Sequence, residues 1–156
     1  GGIGAAVGAG YDVATKEWIT WTPGDYQIPA QNILTLLEKA EDKNFVMGRF
    51  TQRFDYSLLR KLYSHGLRTM VALLLGIDTY KSATYLFHRT LWQQHRTNNP
   101  NMSIAMELQF KHKQGGGKIA VADASYRPRQ AGQSRVKNFR TIWKTFTELL
   151  RIRFRS

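Results

Sequence analysis

The stretch Ser103-Ile104-Ala105-Met106-Glu107-Leu108-Gln109-Phe110-Lys111, with Gln114-Gly115-Gly116-Gly117 and Lys118 to Tyr126 after it, decides how the fold is read. Ile104, Met106, Leu108 and Phe110 alternate strictly with Ala105, Glu107, Gln109 and Lys111, the period of a half-buried strand. The glycines supply positive φ for a tight connection, and Ile119 and Val121 resume β-type composition. The reading is a β-hairpin over about 103–126.

Upstream, the period is helical. Pro29 suits a first helical position, and Ile33, Leu34, Leu37 and Ala40 share a face, which predicts a helix over about 29–43. Asp55 suits the N-cap of a helix carrying Leu58, Leu59 and Leu62 and stopping near Gly66; a second apolar segment, Leu67 to Leu75, ends at Gly76. Asp78 then caps a longer helix from Thr79 to about Arg96, closed by Asn98-Asn99-Pro100. Trp18, Thr20 and Thr22 alternate with Glu17, Ile19 and Trp21 as one short strand, ended by Pro23-Gly24-Asp25.

Downstream, residues 127–135 combine Pro, Gly and three arginines and read as a basic linker. Val136, Phe139, Ile142, Trp143, Phe146, Leu149 and Leu150 then recur at helical spacing, opposite a stripe of Lys137, Arg140, Lys144, Glu148, Arg151 and Arg155, which makes residues 136–156 a basic amphipathic helix. The first ten residues hold five glycines and no charge, so residues 1–15 read as a flexible Gly/Ala arm. Residues 16–126 are then one mixed domain. The expected fold class is α+β: a helical middle (about 29–96), the hairpin and the terminal helix. A β jelly-roll is the alternative, because Arg49 to Phe54 and the last six residues also read at period 2.

The chain has 156 residues, 23 Lys and Arg against 11 Asp and Glu, and no cysteine. Disulfides, thiolate nucleophiles and Cys-based metal sites are therefore excluded, and a reducing intracellular compartment or virion interior is expected rather than secretion. The longest apolar run, Met70 to Ile77, falls far short of the ~20 residues of a transmembrane helix. The charge is graded: residues 1–44 carry three bases and six acids, 45–100 eight and two, 101–156 twelve and three. A basic excess gathered at one end calls for a partner of opposite sign, and nucleic acid is the commonest.

Few residues suggest catalysis. Glu107 and Asp123, on opposite arms of the expected hairpin, are the one carboxylate pair able to meet and hold a metal. His88 and His95 lie seven apart, whereas helical metal ligands favour three or four. His65 and Arg68 match no complete motif. Val71 to Asp78 followed by Thr79 to Leu86 looks like a helix-turn-helix core, which would set Thr79, Lys81, Ser82 and Arg89 toward the major groove, although Ser82 and Tyr85 stand where apolar residues belong.

The expectation is accordingly a non-enzymatic nucleic-acid-binding structural protein, a nucleoprotein or virion subunit. It would contact phosphates through Lys111, Lys113, Lys118, Arg127, Arg129, Arg135, Lys137, Arg140, Lys144, Arg151, Arg153 and Arg155. No cofactor or metal is expected, a homo-oligomer is, and an anionic membrane surface is a further partner. The alternatives are a membrane-surface or capsid-lining protein and, behind it, a helix-turn-helix protein or a metal-dependent nuclease.

Overall fold

The computed structural model describes residues 2–40, 44–50, 58–78, 84–127 and 139–155. In chain order they form α1 (Ile3–Val13), β1 (Trp18–Thr20), α2 (Gln31–Leu37), β2 (Phe45–Phe50), α3 (Leu58–Leu75), β3 (Tyr85–His88), α4 (Arg89–His95), α5 (Ile104–Gln114), β4 (Ile119–Ala124) and α6 (Phe139–Arg155). The class is mixed α+β, which removes the jelly-roll. Four strands make one sheet in the order β1-β3-β2-β4. β3 runs antiparallel to both β1 and β2, and β4 is parallel to β2. Hence β1, β2 and β4 all point the same way.

Both faces of the sheet are covered. Ile19, Phe45, Met47, Tyr85 and Phe87 pack with Val7 and Tyr11 of α1, Leu91 and Trp92 of α4, and Ile104 and Leu108 of α5. The opposite face, with Val46, Leu86 and Ala122, is sealed by Leu36 of α2 and by Ala40. A third cluster joins Val71 and Leu75 of α3 to Phe110 of α5 and to Leu149 and Ile152 of α6.

The decisive stretch is a helix, and its alternation has a different cause. A step of two residues turns ~200° around a helix, so alternation joins two i,i+4 stripes on nearly opposite sides. Ile104 and Leu108 face the sheet, while Met106 and Phe110 face α3 and α6. α5 is buried on two sides, so the expected hairpin is corrected to helix, loop and β4. Only the second arm, Ile119–Ala124, is a strand, and it pairs in parallel with β2 rather than with its sequence neighbour.

Three further expectations change. The helix expected over 79–96 gives a strand first: the bulky run Tyr85-Leu86-Phe87 lies between β1 and β2, and α4 begins at Arg89. A second helix of a helix-turn-helix is thereby lost, with Thr79, Lys81 and Ser82 outside the described residues. α3 runs unbroken through Gly66, and Gly76, at φ +64°, ends it as expected. The Gly/Ala arm is α1. Gly4 serves close approach: a Cβ there would run into the backbone of Asn99 and Asn101, and the Gly4 N–H donates to Pro100 O at 3.0 Å. Tyr11 then packs edge-on against Phe87 and Trp92, and Trp92 Nε1 donates to Asp12 Oδ1 at 2.8 Å.

The early strand is confirmed as Trp18–Thr20, and helix one is shorter, Gln31–Leu37. The terminal helix is present as Phe139–Arg155 with Leu149 inward as expected, but Ile152 joins it in the core while Trp143, expected on the inner stripe, is exposed; the expected linker lies outside the described residues from position 128 on.

Candidate functional site

With three strands pointing one way, their carboxyl ends share an edge. The chain leaves β1 at Thr20, β2 at Phe50 and β4 at Ala124 there, and β3 begins there at Tyr85. In open sheets carrying parallel strands, ligands bind in the crevice beyond these ends, because the loops converge there while the strands hold them rigid.

The β1–α2 connection is built for this position. Asp25 Oδ1 accepts from the Gln27 N–H at 3.3 Å across a two-residue turn, and Tyr26 between them takes φ +57°. A tyrosine in the left-handed region is an outlier held by its surroundings. The hold comes from the end of β4. The Arg127 N–H donates to Gln27 O at 2.8 Å, and Gln27 Nε2 donates to Tyr126 Oη at 2.5 Å. Asn32, 4% exposed, takes the Ser125 N–H and hydroxyl on its Oδ1, each at 3.0 Å, and donates from Nδ2 to Ser125 O at 2.9 Å. Beneath these bonds Ile28, Phe50 and Ala124 pack with Tyr126. The edge therefore presents a carboxylate, a 79%-exposed phenol at Tyr26 and the guanidinium of Arg127, above an ordered base.

A buried phenol pair lies inside this edge. Tyr11 Oη and Tyr85 Oη are 2.6 Å apart. Burial pushes the Tyr85 hydroxyl up to about 12, against the hydrogen bond from Tyr11, and burial likewise raises Tyr11, helped by Tyr85. Both stay protonated, so their role is to hold α1 on the sheet. His95, at the end of α4, is held below its ordinary value by burial, then by His112 and Lys111.

The residues singled out in the sequence are dispersed. Lys111 pairs with Glu107 at 3.1 Å, and the Lys113 ammonium donates to Gly76 O, so these two serve α5. Lys118 and Arg127 are exposed at opposite ends of the β4 segment. Lys144, Arg151 and Arg153 are exposed on α6, with Arg153 5.9 Å from the Phe110 ring centroid; Arg140 and Arg155 belong to the same helix. Arg129, Arg135 and Lys137 lie outside the described residues.

Glu107 and Asp123 do not meet. Glu107 accepts from Thr97 Oγ1 at 2.5 Å and Asn99 Nδ2 at 3.0 Å, whereas Asp123 is bridged to Arg49 at 2.8 Å across the β2–β4 pair. His88 bonds Glu17 at 3.1 Å and Thr90 at 2.7 Å, away from His95. His65 and Arg68 lie on the outer helix α3. Among the described residues no group of three or more His, Asp or Glu could hold a metal ion by itself. Asp25, Gln27, Asn32 and Ser125 were not singled out by sequence. Their signal was an acid in the turn directly after a short strand.

No family model and no curated protein matches the sequence. Solved structures do match. The chain is similar to glucosyl-3-phosphoglycerate synthase from Mycobacterium tuberculosis in complex with Mn2+, UDP-glucose and glycerol 3-phosphate, at TM-score 0.67 and 14% identity, over 98% of this chain and 55% of that one. The same enzyme with UDP aligns at TM-score 0.67 and 15% identity, over 97% and 53%; with Mn2+, UDP and phosphoglyceric acid the values are 0.68, 13%, 98% and 54%. The chain thus spans about half the length of these structures. At such identity the likeness is one of fold: the chain shares its fold with about half of that enzyme. This corrects the expectation of a non-enzymatic nucleoprotein or virion subunit and its structural, helix-turn-helix and nuclease alternatives: the basic excess is carried on a fold shared with an enzyme.

Proposed function

We propose that this chain forms part of a glycosyltransferase that uses a nucleoside-diphosphate sugar, with the diphosphate held at the carboxyl edge of the sheet. The observation that carries the reading is the Asp25-Tyr26-Gln27 turn, fixed to the end of β4 by Gln27, Asn32 and Arg127, on a fold shared with an enzyme whose structures contain UDP-glucose and Mn2+.

The donor set fits a shared cation rather than a protein cage. A small divalent ion bound with a diphosphate needs one or two carboxylates, the rest coming from phosphate oxygens and water. Asp25 supplies such a carboxylate, and its link to the Gln27 N–H sets the direction of its oxygens. When bound, such an ion supplies electrostatic stabilisation of the diphosphate as it leaves the sugar. Arg127, whose backbone is tied to Gln27, offers a second positive charge to the same group. Tyr26, set outward by its positive φ, is placed to lie against the base or sugar ring.

The test is titration of the protein with UDP in Mn2+, followed by calorimetry. Asp25→Asn is expected to weaken binding about a hundredfold while the thermal midpoint holds. Unchanged binding by Asp25→Asn refutes the assignment.

A further inference from the structure

The surface far from the sheet carries a second, independent signal. Of twelve large apolar side chains exposed among the described residues, six lie on α3 and α6: Leu62, Tyr63, Leu67, Leu73, Trp143 and Phe154. The inner stripes of both helices are already used, Val71 and Leu75 meeting Leu149 and Ile152. Leu62 and Leu73 are 66% and 81% exposed, Trp143 and Phe154 60% and 79%. Each pair is separated by eleven residues, about three turns, so its members share a face.

Among the described side chains of the two helices the charge is mostly of one sign: Lys61, Arg68, Lys144, Arg151 and Arg153 stand against Glu148. That acid, Glu148, accepts from the Ser103 hydroxyl at 3.0 Å, and so is engaged toward α5. Lys61, Lys144 and Arg151 are exposed; Lys144 and Arg151, seven apart, share a face beside the Trp143–Phe154 row.

From this arrangement we propose that the outer face of α6 docks on an anionic lipid bilayer, lying in the headgroup plane with Trp143 and Phe154 dipped below it. Aromatic and aliphatic groups flanked by cations are what an interfacial helix requires: the apolar part enters the acyl boundary and the cations meet lipid phosphates. No described helix is long and apolar enough to cross the bilayer, so contact is along the surface. A second copy is a poor occupant, because it would set two cationic faces against each other. Nucleic acid would meet the cations but leave Phe154 unused.

The experiment is flotation of the protein with vesicles of pure phosphatidylcholine and of phosphatidylcholine with about one-third phosphatidylglycerol, beside light scattering without lipid. Flotation only with the anionic vesicles is expected, lost at 1 M salt. Trp143→Ser/Phe154→Ser should lower partitioning about a hundredfold, and Lys144→Glu/Arg151→Glu should abolish it, with unchanged circular dichroism. Equal flotation with both vesicle types, undiminished flotation of either double variant, or a dimer in solution that both variants break would overturn the proposal.

Discussion

The carboxyl edge of the sheet and the outer pair α3–α6 are built on opposite plans. At the edge, residues about a hundred positions apart are tied by directional bonds, Asn32 to Ser125 and Gln27 to Tyr126 and Arg127, beside the Asp25 carboxylate. On the outer pair, apolar stripes meet inside, and the outside carries cations beside exposed Trp143 and Phe154. The edge fixes geometry and the outer pair accumulates charge. Net charge thus marks a surface and says little about where chemistry sits, which is why the +12 of the sequence pointed away from Asp25.

That contrast is broken most strongly by nucleotide binding. Asp25→Asn should lower Mn2+-dependent UDP affinity about a hundredfold, while Lys144→Glu/Arg151→Glu should change it less than threefold, as parallel calorimetric titrations will show. A larger loss from the helix variant would mean that the cations, and not the edge, hold the phosphates.

Next in size is stability. Asn32→Ala removes the bonds of a buried amide to the exposed Ser125, a cost of about 1–2 kcal/mol, read as a fall in the denaturation midpoint. The same variant should also weaken UDP binding, because Gln27 and Arg127 lose their anchor. Arg151→Ala, on the outer face, should shift the midpoint by less than about 0.5 kcal/mol.

A third effect depends on pH. The folded Tyr85 hydroxyl titrates at about 12, whereas the unfolded one ionises near 10.0. Below pH 10 both states keep the proton and this contribution is fully present. As pH rises from 10 toward 12 the unfolded state gains by ionising, so stability falls. Tyr85→Phe should make the alkaline decline shallower in urea titrations at stepped pH, although it leaves Tyr11 without its partner and starts from lower stability.

The sequence was legible where one face of an element is buried and obscure where two are. α6 was legible as a helix with a buried apolar stripe, although Trp143, read onto that stripe, lies outside it; the short strand at Trp18–Thr20 and the stop at Gly76 were equally plain. α5 is packed on two sides, so Ile104-Met106-Leu108-Phe110 imitates a strand. β3 is a central strand whose uninterrupted run Tyr85-Leu86-Phe87 has no alternation to reveal it. At the N-terminus, glycines needed for close approach to residues 99–101 look like flexibility in composition. The site was the least legible part, since parallel pairing of β2 with β4 is what brings the Asp25 turn to Ser125 and Arg127, and nothing local announces a pairing over seventy residues.

Hydrogen exchange with and without UDP and Mn2+ tests the central claim most directly. Slower exchange is predicted in peptides covering residues 21–32 and 124–127, with α3 and α6 unchanged. Protection confined to residues 139–155, or absent from the Asp25 turn at saturating nucleotide, would contradict it.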